Sequence, residues 1–278
     1  MIIKEVINNS KLELNDAMLL LKYVLDCDEV SIVAKSNDEI SDDDLIKFQE
    51  AENKVLEGYP LQYITNKQYF YENEFYVNES VLIPQPDTEI LVQEVVDNIV
   101  KNFNKGDTIK ILDLCTGTGA IAISIKDVCE KAGFNIEMYA SDVSSKALDV
   151  AKINSKNILD DENKINFIES DMFDKIKDLD IKFDYIVSNP PYIKTDVIST
   201  LDKDVQNEPH LALDGGKDGL KFYRIIKDSC FKYLNDNGKV FLEIGYDQKE
   251  DLENLFKDYK VKCIKDFANN DRVVIIEK

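Results

Sequence analysis

From residue 109 onward, short apolar runs alternate with longer stretches patterned as helices, and this alternation restricts the fold more than any other feature of the chain. The runs are IKILDLC (109–115), IEMYASD (136–142), INFIES (165–170), FDYIVSN (183–189) and KVFLEIGY (239–246), followed by YKVKCIKD (259–266) and RVVIIEK (272–278). Each has the length and branched or aromatic content of a buried strand. Strands that alternate with helices predict an α/β domain, a mostly parallel sheet covered on both faces. Little more than FANN separates the last two runs, which leaves no room for a crossover helix. They are therefore expected to pair as a hairpin, with the last strand entering antiparallel. An Asn237–Gly238 turn is expected just before residue 239.

The chain before this region reads differently. NDAMLLLKYVL (15–25) offers Asn15 as a helix cap before a broad apolar stripe. In SDDDLIKF (41–48), Ser41 is placed to cap a second helix, and Asp42, Asp43 and Asp44 suit the positive end of its dipole. Leu45, Phe48, Ala51 and Val55 then share one face, and Gly58 to Pro60 ends the helix. So short a helical piece is suited to binding a partner or packing on the rest, not to forming a deep active site. Aromatic and branched residues flank Glu72 and Asn73, which predicts a β-hairpin. Pro84 and Pro86 stiffen its exit into a helix starting near Asp87. The expected organisation is a helical domain over 1–66, a hairpin linker over 67–88 and the α/β domain over 89–278.

Between the first strand run and its helix stands CTGTGA, with Gly117 and Gly119. Glycines there let backbone N–H groups approach a ligand at the helix N-terminus. Asp142, at the end of the next strand run, can accept both ribose hydroxyls of a nucleoside. The third glycine of a dinucleotide loop is missing. Asp113, just before the loop, suits a cationic amino group better than a pyrophosphate. These features favour S-adenosylmethionine over a nicotinamide dinucleotide. Farther on, Asp171 could meet an adenine amino group, and Met172 or Phe173 could cover the ring; an ordinary strand-end turn would look the same.

The fourth run ends in SNPPY. In open α/β sheets the ligand crevice lies outside the carboxyl ends of the strands, so this corner faces the same crevice as the glycine loop. Asn189 offers a side-chain carbonyl and Pro190 a backbone carbonyl. Pro190 and Pro191 carry no N–H to compete for an incoming amino group, and Tyr192 supplies a flat face. Together they suit a planar –NH₂ whose lone pair is delocalised. Methylating such a nitrogen calls for positioning and charge stabilisation rather than a strong base. His210, the single histidine, is therefore expected to be a packing or surface residue.

An –NH₂ of this kind occurs on adenine and on a side-chain amide alike. Charge leans against nucleic acid: 34 Lys and Arg stand against 54 Asp and Glu, a net charge of -20. Binding to a duplex draws on cationic surface, and no basic run is present, so direct nucleic-acid binding is not expected. The cysteines are Cys27, Cys115, Cys129, Cys230 and Cys263. They form no CxxC pair, which fits a reducing compartment without disulfides or a metal site. Neither a leader nor a membrane-spanning stretch is readable, and a cytoplasmic protein is expected.

Several segments together resemble the bacterial peptide chain release factor glutamine methyltransferases. GYPLQYIT (58–65) and VLIPQPDTE (81–89) look like that family's linker motifs. DLCTGTGAIAIS, SDVSSKAL, SNPPYI and NEPHLALDGGKDGLKFYRII (207–226) look like its catalytic-domain motifs. The proline-rich corner is shared with DNA adenine methyltransferases, which keeps adenine N6-methylation as the alternative; EPHLAL followed by GGKDGL is more specific. The resemblance implies a Rossmann-like seven-stranded methyltransferase domain preceded by a small helical domain and a hairpin. It implies S-adenosylmethionine as donor and the glutamine amide of a Gly-Gly-Gln loop in class 1 release factors as acceptor. Separately, a monomer is expected. The resemblance further implies that Thr116, Gly117, Thr118 and Gly119 hold the methionine part, that Asp142 takes the ribose, and that Met172 lies at the adenine, with Asn189 also beside the donor. Asn189, Pro190, Pro191 and Tyr192 would hold the amide. Three positions depart from the family pattern. Gln85 replaces an arginine, Cys115 replaces a glycine, which makes a reactive thiol conceivable, and Asn66 stands where glycine is common.

Overall fold

The computed structural model describes residues 1–161 and 164–278. By contacts the chain divides into two units: Met1–Lys67 with Leu201–Asn207, and Gln68–Thr200 with Glu208–Lys278.

The first unit holds α1 (Ile3–Asn9), α2 (Leu14–Leu25), α3 (Glu29–Ala34), α4 (Asp42–Leu56) and α5 (Leu61–Thr65). Ile3, Val6, Leu20, Leu21, Ile32, Phe48 and Leu61 are buried in its core. Leu45 and Val55 pack against the same cluster, so the apolar stripe of α4 faces inward as its spacing predicts. Ser41 caps α4 by accepting the Asp44 N–H at 3.1 Å. The cap expected at Asn15 is not formed: α2 starts at Leu14, Glu13 is the N-cap, and Asn15 lies inside the first turn. The Asp16 side chain already suits the dipole there, so the helix extends past the residue with cap chemistry. Asn66 ends α5 at φ 56, the left-handed conformation that asparagine tolerates.

Next comes the hairpin of β1 (Lys67–Phe70) and β2 (Asn73–Tyr76), which belongs to the second unit from Gln68 on. A 3₁₀ turn, Pro86–Thr88, leads into α6 (Glu89–Asn102). There follow β3 (Thr108–Leu114), α7 (Ala120–Lys131), β4 (Asn135–Asp142), α8 (Ser145–Leu159), β5 (Ile165–Glu169) and β6 (Phe183–Ser188). The short α9 (Lys203–Gln206) falls in the segment grouped with the first unit. The chain then forms α10 (His210–Leu213), α11 (Lys221–Tyr233), β7 (Leu234–Glu243), α12 (Lys249–Leu255), β8 (Lys260–Lys265) and β9 (Asp271–Glu277).

Seven strands form one sheet in the order β5-β4-β3-β6-β7-β9-β8. β5, β4, β3, β6 and β7 run parallel. β9 inserts antiparallel between β7 and β8, as the short connection between the last two runs requires. The order reverses at β3, and the loops after β3 and β6 open on one side of that switch point. Successive side chains alternate between two cores. Ile109, Ile111, Met138, Tyr185 and Phe241 face α6 and α7. Leu112, Tyr139, Ile186, Val240 and Leu242 face α11 and α12.

The expected Asn237–Gly238 turn is instead part of an irregular strand. Phe183 pairs with Leu234 and Tyr185 with Lys239, so residues 235–238 bulge opposite the single residue Asp184. Asp184 anchors the bulge, accepting from Asn235 Nδ2 at 2.7 Å and from the Lys110 N–H at 2.8 Å. No helix among the described residues is long and apolar enough to cross a membrane.

Candidate active site

The chain turns sharply after β3. Cys115 adopts φ 59 and Gly117 φ 54, then Gly119, at φ 79, starts α7. A Cβ on Gly119 would lie 2.9 Å from Ile123 Cδ1 and 3.2 Å from Ala151 Cβ, so this glycine lets α7 close on α8. Asn154, buried on α8, donates to Thr118 O and Tyr76 O at 3.0 Å each and accepts the Tyr76 N–H at 2.7 Å. The hairpin is thereby tied to the glycine loop.

Beside that loop is a cavity of about 210 Å³. Gly117, Asp142, Met172, Asn189 and Pro191 all line it, as do Cys115 and Asp171. Thr116, Thr118 and Gly119 stand behind the lining. Thr116 Oγ1 donates to Asp113 Oδ2 at 2.6 Å, and Thr118 Oγ1 accepts the Ala120 N–H at 3.3 Å. Pro190 and Tyr192 also lie outside the lining, with Pro190 buried and Tyr192 half-buried. Phe173 does not cover the cavity; it stacks on Tyr233 with ring centroids 5.2 Å apart. His210 is exposed on α10.

Asp142 ends β4 with its carboxylate at the cavity. Oδ2 accepts the Gly117 N–H and Oδ1 the Ser144 N–H, both at 2.9 Å. Burial raises its pKa, and these N–H groups oppose the rise. Asp113 is not on the wall. It is fully buried beneath the loop, Oδ1 has no hydrogen-bond partner among the described residues, and burial pushes it up to about 7. The cationic-group role expected for it therefore lacks direct access to the cavity. The Cys115 thiol is pushed above the ordinary thiol range by burial, then by the charges of Asp142 and Asp113. A neutral thiol is a poor nucleophile, which answers the expectation of reactivity; its Sγ lies 3.7 Å from Met172 Sδ.

At the end of β6, Asn189 Nδ2 donates to Thr88 Oγ1 at 3.1 Å. The planar amide thus turns Oδ1 away from Thr88, free to accept an incoming donor. The Tyr192 hydroxyl donates to Glu243 Oε1 at 3.2 Å, and its backbone carbonyl accepts from Gln248 Nε2 at 3.2 Å. Ile83 donates its N–H to the buried Glu208 carboxylate at 2.7 Å, which joins the proline-rich segment to the stretch after α9. Gln85 Nε2 donates to the Ile83 carbonyl at 3.0 Å, and Asp87 pairs with Arg272 at 2.9 Å.

Several residues on this wall carry no sequence signal that marks them: Ser80, Leu82, Ser144, Leu211 and Phe222, with Lys221 the cation among the described lining residues. Ser80 and Leu82 come from the hairpin exit, Ser144 from the N-cap of α8, and Leu211, Lys221 and Phe222 from α10 and α11, none of which carries a nucleotide-site signature of its own. Thr88 and Glu243 were also missed, although a threonine and a glutamate at the ends of apolar segments could have marked buried polar partners.

The donor set fits a nucleoside bearing a small charged tail. It combines a strand-end carboxylate, a loop N–H, apolar side chains at Ala147, Met172 and Phe222, and an acceptor at Asn189. Residues 88–217 match the family model described as Methyltransferase small domain, and residues 7–65 match the PrmC N-terminal domain. A release factor glutamine methyltransferase of Clostridium acetobutylicum is 38% identical over 271 residues, covering 96% of this chain and 92% of that protein. Another of the same name from Bacillus subtilis is 34% identical and covers 94% of this chain and 90% of that protein. Among solved structures, a methyltransferase from Pyrococcus furiosus superposes with a TM-score of 0.51 at 20% identity, covering 83% of this chain and 98% of that one; at that identity the likeness concerns the fold.

Proposed function

The chain belongs to the release factor glutamine methyltransferase family, and we propose that it methylates the side-chain amide nitrogen of the glutamine in the Gly-Gly-Gln motif of class 1 release factors, in the cytoplasm. S-adenosylmethionine, when bound, supplies an electrophilic methyl group on a sulfonium. Asp142 would hold the ribose, the Gly117 segment would meet the amino-acid end, and Met172 would pack at the adenine. Asn189 Oδ1 and the Pro190 carbonyl accept the two hydrogens of the glutamine –NH₂, and Tyr192 backs its plane. Two acceptors polarise the amide and aim its nitrogen, which is where the rate is gained. The helical first unit is left to engage the release factor.

One observation carries this reading: Asn189 lines the same cavity as Gly117 and Asp142, with its –NH₂ turned to Thr88. The test is incubation with labelled S-adenosylmethionine and, separately, a class 1 release factor and plasmid DNA. Label in the release factor alone is the predicted result. Label in DNA alone would overturn it in favour of adenine.

A further inference from the structure

The clamp residue Asn189 is oriented by Thr88, and Thr88 stands next to a buried charge. Thr88 is 5% exposed, at the end of the 3₁₀ turn Pro86–Thr88. Its hydroxyl has one proton to give. The pairing of Ser188 with Leu242 sets Glu243, the last residue of β7, level with Asn189. Glu243 is 2% exposed. Its Oε1 accepts the Tyr192 hydroxyl at 3.2 Å. Among the described residues Oε2 has no hydrogen-bond partner, yet the Thr88 hydroxyl lies near enough to favour the charged carboxylate.

We propose that Glu243 is a positioning residue for the amide clamp: its carboxylate draws the single Thr88 proton, leaves the Thr88 oxygen as an acceptor for Asn189 Nδ2, and so keeps Asn189 Oδ1 facing the substrate amide while it also holds Tyr192. The inference rests on Asn189 being that clamp. The direction of one hydroxyl decides the outcome. A Thr88 that donated to Asn189 would attract Oδ1 and turn Nδ2 toward the cavity. Two –NH₂ groups would then face each other, donor against donor, and the amide would be rejected. A buried carboxylate is costly to keep charged, so its place behind the clamp calls for a role.

Several groups face Glu243. Arg272 comes from β9, Asp87 from the 3₁₀ turn, Tyr192 from the segment after β6, and Tyr223 from α11, which donates to the Glu243 backbone carbonyl at 2.8 Å. Arg272 favours the charged form but is shared with Asp87 at 2.9 Å and Asp266 at 3.2 Å, and Asp87 opposes it. Burial outweighs these effects and raises the carboxyl to about 7. The charged form that the clamp needs therefore appears as pH rises through about 7 and is lost as pH falls below it.

The experiment measures kcat and KM for the release factor at saturating S-adenosylmethionine, on both sides of that transition. The variants are Glu243→Gln, Thr88→Val, Thr88→Ser and Asn189→Ala. Donor affinity by calorimetry and folding by circular dichroism accompany each. A glutamine at 243 can serve only one of Thr88 and Tyr192 as an acceptor. The expected result is a wild-type kcat that rises with pH, and a loss of roughly tenfold or more together with that pH limb in Glu243→Gln. Thr88→Val falls alike, Thr88→Ser stays within about threefold of wild type, and donor affinity changes by less than about threefold throughout. If Glu243→Gln fails to fold, the contrast between Val and Ser at position 88 decides. An unchanged pH limb in Glu243→Gln, or equal rates for the two position-88 variants, overturns the inference. Inactive Asn189→Ala beside such a result confines the failure to Glu243; fully active Asn189→Ala removes the clamp reading itself.

Discussion

A Cβ atom built on Gly215 would lie 2.7 Å from the Cα of Tyr192, closer than side-chain carbons approach. One built on Gly219 would lie 2.4 Å from the Tyr192 carbonyl oxygen. Gly215 and Gly219 thus form a groove against which the backbone after the two prolines rests. Gln248 Nε2 closes it, donating to the carbonyls of Tyr192 and Gly219 at 3.2 Å each.

Gly215→Ala is predicted to push on Tyr192 and cost about 1–3 kcal/mol of stability, the usual price of overpacking. Methyl transfer falls while donor affinity stays near wild type, because Gly215 is not on the donor side of the corner. Denaturant unfolding and single-turnover rates test this, and an unshifted unfolding midpoint would show the groove to be slack.

Asp142→Asn is predicted to weaken donor binding about tenfold or more, as loss of a charged acceptor does. Calorimetry with S-adenosylmethionine measures it. Affinity equal to wild type would remove Asp142 from the donor site.

Cys115→Gly is predicted to stabilise the protein by up to about 1 kcal/mol, because a non-glycine residue at φ 59 carries a left-handed penalty. The wild-type thiol, raised by burial, should alkylate more slowly at neutral pH than a free cysteine. A drop in thermal midpoint in the variant would mean that the contact with Met172 outweighs the strain.

Stability should fall as pH rises from about 4 to about 7. Burial raises both Asp113 and Glu243 to about 7, so the folded state holds their protons over a range where the unfolded chain has released them. Their contribution is full below the unfolded carboxyl values and lost as pH passes about 7, on the order of a few kcal/mol each. Asp113→Asn should flatten the slope of thermal midpoint against pH. A slope as steep as wild type would contradict this origin.

The sheet was legible because strand runs and helix-patterned stretches alternate, and the antiparallel last strand because FANN is too short for a crossover. The cavity wall at Gly117, Asp142 and Asn189 was legible because strand-end loops in such a sheet share one edge. Asn15 misled because cap chemistry occurs inside first turns as well as before them. Asn237–Gly238 misled because the same dipeptide suits a bulge. Thr88 and Glu243 were hidden because they act through a neighbour, and only the register of β6 on β7 brings Glu243 level with Asn189.

The most direct measurement is tandem mass spectrometry of a class 1 release factor after incubation with S-adenosylmethionine and either the wild-type protein or Asn189→Ala. One added methyl group on the side chain of the Gly-Gly-Gln glutamine is expected with the wild type. With Asn189→Ala, donor affinity is retained and the transfer barrier is higher by about 2–4 kcal/mol. A methyl group on any other residue, or near-normal methylation by Asn189→Ala, would contradict the proposed function.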